Sequence, residues 1–560
     1  MIPMRDSIKL GAIVYRPETE GKYPVIVYRT PYGADDYDRS ASFPLMAAKS
    51  GYIVFITDVR GRYSSEGDFE AYRNEKTDGY DLIEWCAAQP YSNGKVLTYG
   101  GSYPGIVQWQ AMSQVPPHLV AAAPEMTPIG SHHFFYYGGA FSHPWLDWFI
   151  PNIFADKRKR AGDTTATWDD GIATKEWNAS NRKAWYAYRP LSELPILKKY
   201  APEYFAWLDH PDSSAWWNFV SMEQDFKNFR NPVFLESGWY DAAYGPVGAT
   251  RAFNKMRIES ANDASRNQTI LMLGPWNHTA LNVRKQKYGE IDFGINAGID
   301  YDRILLDWFD FVIGKNRFYA PLPIVSIFVM GENKWRSESE WPLSRAQSTN
   351  FYLHHEVDLD NHQSGLLDLR LPEMERGDEY NFNPNDPVWD KSYEKSYPYD
   401  HREIEARPDV LVYTSDVLSE DMEVTGEIQL ELFVSSSAPD TDFTFTLSDV
   451  YPDGKSINLH GLDAGYLRMR YRNGLGKQQL MKPGKVYRIK IGNVYTSNLF
   501  KKGHRIRLSI SSSIAPHYDP NPNTGAVIAT ERNLVPAKNS VWHDKRYPSR
   551  LILPVIPRNN

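Results

Sequence analysis

Cysteine is almost absent: the 560 residues include one, Cys86, so no disulfide can form within the chain. That excludes a disulfide-stapled scaffold and suits a reducing compartment. No apolar leader follows the first charged residues, and the expected localisation is cytoplasmic. No run of 18 apolar residues is present, so no membrane-spanning helix is expected. Strong charge is missing too. A formal net charge of −7 over this length argues against a broad nucleic-acid surface. Tandem repeats and low-complexity tracts are not found. What is plentiful is apolar and aromatic side chain, 42% and 14% of the chain, which supports large packed cores. At ~100–200 residues per domain, the length accommodates about three.

Early apolar runs alternate with helical spacing. Ile8–Tyr15, Pro24–Tyr28 and Tyr52–Thr57 read as strands, Asn74–Ala88 as a helix, Val96–Tyr99 and Leu119–Ala123 as strands again. Near-continuous apolar strands separated by helices predict a parallel sheet covered on both faces. From about Met126 to Phe229 this alternation gives way to aromatic-rich sequence with short helical patches, which reads as an inserted helical cap. The strands Pro232–Glu236 and Thr269–Leu273 then restore the sheet, and Tyr301–Val312 is an amphipathic helix. After Trp341-Pro342, period-two segments such as Ile428–Leu432 and Arg505–Ile510 predict an antiparallel β-sandwich or jelly roll. The expected domains are therefore an α/β part over 1–128 and 231–341, a helical cap over 129–230, and a jelly roll over 342–560.

The stretch Lys95–Met112 carries the chemistry. A buried strand runs into Gly100-Gly101-Ser102-Tyr103-Pro104-Gly105, and helical spacing begins at Ile106. Strand, tight glycine turn with a serine at its tip, then helix is the form of a nucleophile elbow, although the second glycine comes one place later than in G-x-S-x-G. Glycines let the two backbones close on each other, and Pro104 suits a first helical turn. Two later strands end in Gly238-Trp239-Tyr240-Asp241 and Gly274-Pro275-Trp276-Asn277-His278. Taken singly, Asp241 suits a helix cap and His278 an ordinary loop. Together with Ser102 they stand in the order serine, acid, histidine that α/β-hydrolases use. A serine hydroxyl needs an imidazole to take its proton, and the imidazole needs a carboxylate to hold its tautomer.

Several stretches resemble the CocE/NonD family of serine hydrolases: RTPYG (Arg29–Gly33), DVRGRYSSEG (Asp58–Gly67), GGSYPG, GWYD, GPWNH, and GHRIRLSISSS (Gly503–Ser513). The resemblance spans nearly the whole chain. It implies an α/β-hydrolase fold with an inserted helical cap and a C-terminal β-sandwich (jelly roll). It also implies Ser102 as nucleophile, Asp241 as acid and His278 as base, with an oxyanion hole made by the Tyr32 hydroxyl and the Tyr103 backbone N–H. No cofactor and no metal are implied.

The remaining candidates read as structural. Asp58 and Arg60 suit a loop brace, Cys86 suits helix packing, and His132, His133 and His143 lack a convincing set of metal-ligand partners. The aromatics of Phe134–Phe149 are expected in the core or along an acyl pocket. The resemblance extends to α-amino acid ester hydrolases, which hold a substrate ammonium with acids shortly after the catalytic aspartate and in the cap. Here the chain reads Ala242-Ala243-Tyr244 after Asp241, and no acid stands near Phe135–Tyr137, so the resemblance disfavours α-amino acyl groups. The expected partner is a small-molecule ester with an uncharged or aromatic acyl group. A homo-oligomer is compatible with this reading; a nucleic-acid or membrane partner is not expected. Two alternatives stand: an amidase, acylase or dipeptidyl-peptidase-type hydrolase, marked by an acid or arginine in the cap pocket, and a non-catalytic protein that binds ligands through its jelly roll.

Overall fold

The computed structural model of the chain describes residues 1–40, 42–130, 132–163, 182–278, 283–315, 322–355, 364–461 and 465–557. Its centre is a nine-stranded sheet. The strands are β1 (Ala12–Tyr15), β2 (Tyr23–Thr30), β3 (Ile53–Asp58), β4 (Ser92–Gly101) and β5 (Leu119–Glu125). They are followed by β6 (Phe234–Tyr240), β7 (Ile270–Asn277), β8 (Val325–Val329) and β9 (Lys334–Glu338). The order across the sheet is β9-β8-β7-β6-β5-β4-β2-β3-β1. The pairs from β3 to β8 are parallel, and only the edge strands β1 and β9 run antiparallel to their neighbours. Val25–Val27, Ile53–Ile56 and Val96–Leu97 are buried with almost no exposure, as strands covered on both faces should be.

Among the helices that pack on this sheet or belong to the insertion between β5 and β6, those that bear on the site are α1 (Ala34–Ser40), α2 (Glu75–Ala87), α3 (Tyr103–Met112), α4 (Trp145–Asn152), α5 (Gly245–Glu259) and α6 (Tyr301–Val312). Helix α6 buries Leu305, Leu306, Trp308 and Phe309 along one face and exposes charge on the other, the amphipathic pattern its sequence predicts.

Two sequence expectations need correction. Ile8–Tyr15 is not one strand: Lys9–Leu10 pairs with Ile2–Pro3, and only Ala12–Tyr15 joins the large sheet. The insertion between β5 and β6 is not purely helical either. Tyr136–Tyr137 pairs with Ala140–Phe141 as a small hairpin among the short helices. The C-terminal part forms one twelve-stranded sheet, antiparallel except where Ser364–Asp368 meets Leu411–Ser415. Strands far apart in its order, such as Met422–Ser436 and Asp442–Val450, send Leu430, Leu432, Phe443 and Phe445 into a single core. The sheet therefore folds back on itself as a β-sandwich.

Candidate active site

Ser102 sits at the tip between β4 and α3 with φ 60° and ψ −126°. A non-glycine residue there costs on the order of 1–3 kcal/mol, and such strain gathers where side chains must be presented. Backbone hydrogen bonds hold the turn. The Ser102 N–H donates to the Glu125 carbonyl at 3.0 Å, and the Gly105 and Ile106 N–H groups donate to the Ser102 carbonyl at 2.9 Å. The late glycine of the motif has a geometric cause. A Cβ at Gly105 would stand 2.3 Å from the Thr127 methyl and 2.8 Å from the Gly100 carbonyl, so α3 can approach the sheet only without one.

Asp241 follows β6 and His278 follows β7, and parallel pairing of the two strands brings them side by side. His278 Nδ1 lies 2.9 Å from Asp241 Oδ1, and its Nε2 lies 3.0 Å from Ser102 Oγ. The same carboxylate oxygen accepts the Ala243 N–H at 2.8 Å and the Tyr244 N–H at 3.2 Å, which fixes the fully buried acid. The Tyr244 ring meets the imidazole edge to face at 4.9 Å. With Nδ1–H held by a carboxylate, Nε2 is left to accept the serine proton.

The sequence-predicted donors stand beside the serine. Tyr32 lies just beyond β2, where Asp58 accepts the Ala34 N–H at 2.7 Å and the Ser64 hydroxyl at 2.6 Å, bracing the loop. Arg60, its companion in the sequence motif, is tied to Asp78 and Asp6, each at 2.6 Å. Trp148 of α4 donates its indole N–H to the Tyr32 oxygen at 3.0 Å. Burial raises the Tyr32 pKa, against opposing contributions from Trp148 and Ser102, so the phenol keeps its proton to donate. Tyr103 opens α3, where backbone N–H groups have no acceptor within the helix. Its side chain anchors the turn: the hydroxyl donates to Glu75 at 2.8 Å, and Glu75 receives the buried Arg29 guanidinium at 2.6 Å. Burial pushes the Glu75 pKa up, and Arg29 opposes that shift.

A cavity of about 220 Å³ opens from Ser102 and His278. Phe134, Tyr137, Trp145 and Trp148 from the cap line it, whereas Phe135 and Phe149 are core. Sequence reasoning missed three residues. Asp147 of α4 lines the cavity and accepts a hydrogen bond from the Tyr186 hydroxyl, so the expectation that no cap acid faces the pocket is corrected. Asp147 follows Trp145 by two places in the aromatic helix, a spacing that does not put the two on one face, so helical periodicity did not mark it. His517 and Tyr518 come from the C-terminal sandwich, and nothing local in the sequence marks them.

The other histidines are elsewhere. His132 packs against the Pro211 carbonyl at 2.5 Å, and burial lowers its pKa to about 4. His143 is fully buried and its pKa is lowered by desolvation. The His133 side chain lies outside the described residues. Among the described residues no group of three His, Cys, Asp or Glu could hold a metal ion, and no helix is long and apolar enough to cross a membrane. Cys86 is buried in α2, and desolvation pushes its thiol pKa up, away from nucleophile behaviour.

A strained serine at an elbow, a histidine against a buried acid, and a parallel α/β sheet define a serine hydrolase of the α/β-hydrolase type. Comparison with known proteins agrees. Residues 6–280 match the X-Pro dipeptidyl-peptidase (S15 family) profile, and residues 316–552 match its X-Pro dipeptidyl-peptidase C-terminal non-catalytic domain. A cocaine esterase from Rhodococcus sp. (strain MB1 Bresler) is 34% identical over all of this chain and 98% of its own length. Two solved structures share the fold at 24% identity. One is an aminopeptidase from a marine sediment archaeon (Thaumarchaeota archaeon), with TM-score 0.82 over 100% of this chain and 96% of the other. The other is an α-amino acid ester hydrolase, with TM-score 0.80 over 99% and 95%. The chain belongs to this S15-type family of serine ester hydrolases, the family that includes the cocaine esterase.

Proposed function

We propose that the chain hydrolyses small carboxylic esters through an acyl-enzyme, with Ser102 as nucleophile, His278 as base and Asp241 as the acid that orients it. The hydrogen-bonded run Asp241–His278–Ser102, 2.9 and 3.0 Å, carries this reading. His278 takes the Ser102 proton as Oγ attacks the ester carbonyl, and the tetrahedral oxyanion is held by the Tyr32 hydroxyl and the Tyr103 N–H. The protonated imidazole then gives its proton to the departing alkoxide. Water, activated by the same histidine, releases the acid and restores the serine.

Aromatic walls from Phe134, Trp145 and Trp148 favour an aryl or short alkyl acyl group. Asp147 disfavours an acyl group that carries its own carboxylate, because two like charges repel at such close range. The same residue supports a second reading. A carboxylate in the cap pocket suits an acyl group with an ammonium, as in an amino-acyl ester or amide. The non-catalytic jelly-roll alternative has no such support, since it requires a broken triad.

The test is turnover of p-nitrophenyl acetate, benzoate and hemiglutarate, and of alanine p-nitroanilide, by the wild type and by Ser102→Ala. Benzoate and acetate turnover by the wild type alone is expected, with hemiglutarate poor. Faster turnover of the anilide than of the neutral esters would replace the first reading with the second. Equal slow rates for both proteins would remove Ser102 from the mechanism.

A further inference from the structure

Next to the elbow, lined in part by Tyr32, Gly100 and Gly101, lies a second cavity of about 320 Å³ that shares no lining residue with the acyl cavity. It opens at the carboxyl ends of β2, β4 and β5, between α1 and α6. Tyr28, Tyr37, Tyr99 and Tyr301 form much of its wall, and none of the residues that line it is basic. Glu125, at the end of β5, contributes a carboxyl group that is 5% exposed. Among the described residues no cation pairs with it. The Tyr301 hydroxyl is buried beside Glu125 and favours its ionised form, although its geometry falls short of a full hydrogen bond. Asp302 also lines the cavity, but Arg284 and the Ser42 hydroxyl already engage it at 2.6 and 2.9 Å. A buried carboxyl without a counter-charge, beside a tyrosine oxygen with lone pairs to offer and in an aromatic cavity of this size, suits a donor-rich cation.

We propose that this cavity is a binding site for a small alkylammonium ion, with the ammonium donating to the Glu125 carboxylate and the Tyr301 oxygen and its alkyl part against the tyrosine rings. An ammonium group offers three donors and full charge, which matches two acceptors at one end of a cavity walled largely by tyrosine rings and, with Asp36 and Asp302 at its lining, acidic overall. The site is separate from the Asp147 pocket and does not depend on the chemistry assigned to Ser102.

Protonation gives a further signature. Burial raises the Glu125 pKa to about 8, with nearby Asp302 adding to the rise and Tyr301 opposing it. Other titratable groups around it are Glu236 on β6, Tyr28 on β2, Tyr37 on α1 and Tyr99 on β4. At pH 7 the free site is therefore mostly protonated, and a bound cation favours the carboxylate. Binding should expel a proton, and affinity should climb as pH rises toward 8.

Isothermal titration calorimetry of the full chain with n-butylammonium chloride and with 1-butanol tests this. Saturable butylammonium binding, at least about tenfold tighter than butanol, is expected from the charge-assisted contact. Glu125→Gln should remove that preference, and Tyr301→Phe, which keeps the ring, should weaken it severalfold. Asp147→Asn should leave it unchanged. Equal affinity for butylammonium and butanol, affinity that does not change between pH 6 and 8.5, or loss in Asp147→Asn with retention in Glu125→Gln would each overturn the assignment.

Discussion

Trp148 does more at the site than line a wall. Its N–H fills one acceptor position on the Tyr32 oxygen, and a phenol that accepts a hydrogen bond is a better donor through its own O–H. The pull of Trp148 also fixes where that O–H points. Tyr32→Phe should therefore lower kcat by about 10²–10³ while KM stays within a few-fold, since the lost contact belongs to the transition state. Steady-state kinetics on p-nitrophenyl acetate would read this, and an unchanged kcat would take Tyr32 out of the oxyanion hole. A second single-residue effect concerns stability. Glu125 has a folded pKa near 8, above the 4.5 of an ordinary glutamate, so the folded state holds a proton that the unfolded chain gives up. Its contribution is present below pH 4.5 and is lost as pH rises through 8. Glu125→Gln cannot lose it. The stability of this variant relative to wild type should rise with pH across that window, with a slope approaching about 1.4 kcal/mol per pH unit. Urea unfolding at pH 5, 6.5 and 8 measures that slope, and a constant difference would contradict the assignment.

The elbow works because two elements touch at Gly105. Gly105→Ala must push α3 away from Thr127 and the Gly100 carbonyl, at a cost of about 1–3 kcal/mol. In the proposed mechanism that displacement also moves the Tyr103 N–H off the oxyanion, so kcat should fall more than KM rises. Thermal melts and kinetics on the one variant would separate the two effects. This element was legible in the sequence because its demands are local: a β-branched strand, glycines, a proline at the helix start. The same holds for β2, β3 and β4, whose apolar runs leave no other reading, and for Asp241 and His278, which end strands of that kind. The cap hairpin was not legible. Its strands are two residues each, too short for a period, and its turn is set from outside: Gly138 has φ 52°, and a Cβ there would stand 1.9 Å from the Tyr466 carbonyl of the sandwich. The pocket roles of Asp147, His517 and Tyr518 were hidden for the same reason, since they depend on which distant segments meet.

Those meetings tie the whole molecule to its active site. The Phe141 N–H of the cap hairpin donates to Asp519 at 2.8 Å, and Asp519 also receives the Arg468 guanidinium at 3.2 Å. Arg468 is 1% exposed and reaches Asp442 as well, at 2.8 Å. One buried cation thus sits between two buried carboxylates in the sandwich and, through Asp519, steadies the cap. Tyr518, which lines the acyl cavity, is the neighbour of Asp519 and bridges to Ser142. Desolvation pushes the Asp519 pKa up and Arg468 opposes it, so without the arginine the carboxyl tends to protonate or draw in water. Arg468→Ala removes the cation that both buried carboxylates bind, leaving Asp519 the weaker pull of Arg189, and should cost about 3–5 kcal/mol. Its local effect should come first. As the Asp519 contact with Phe141 loosens, the cap and Tyr518 lose their register over the acyl cavity. KM for an aryl ester should then rise well below the melting temperature, with kcat for acetate nearly unchanged because the triad belongs to the large sheet. Arg468→Lys, which keeps the charge but not the fork that spans both carboxylates, should fall between. A variant that melts earlier but shows wild-type KM at 25 °C would mean that the sandwich holds the fold without shaping the pocket.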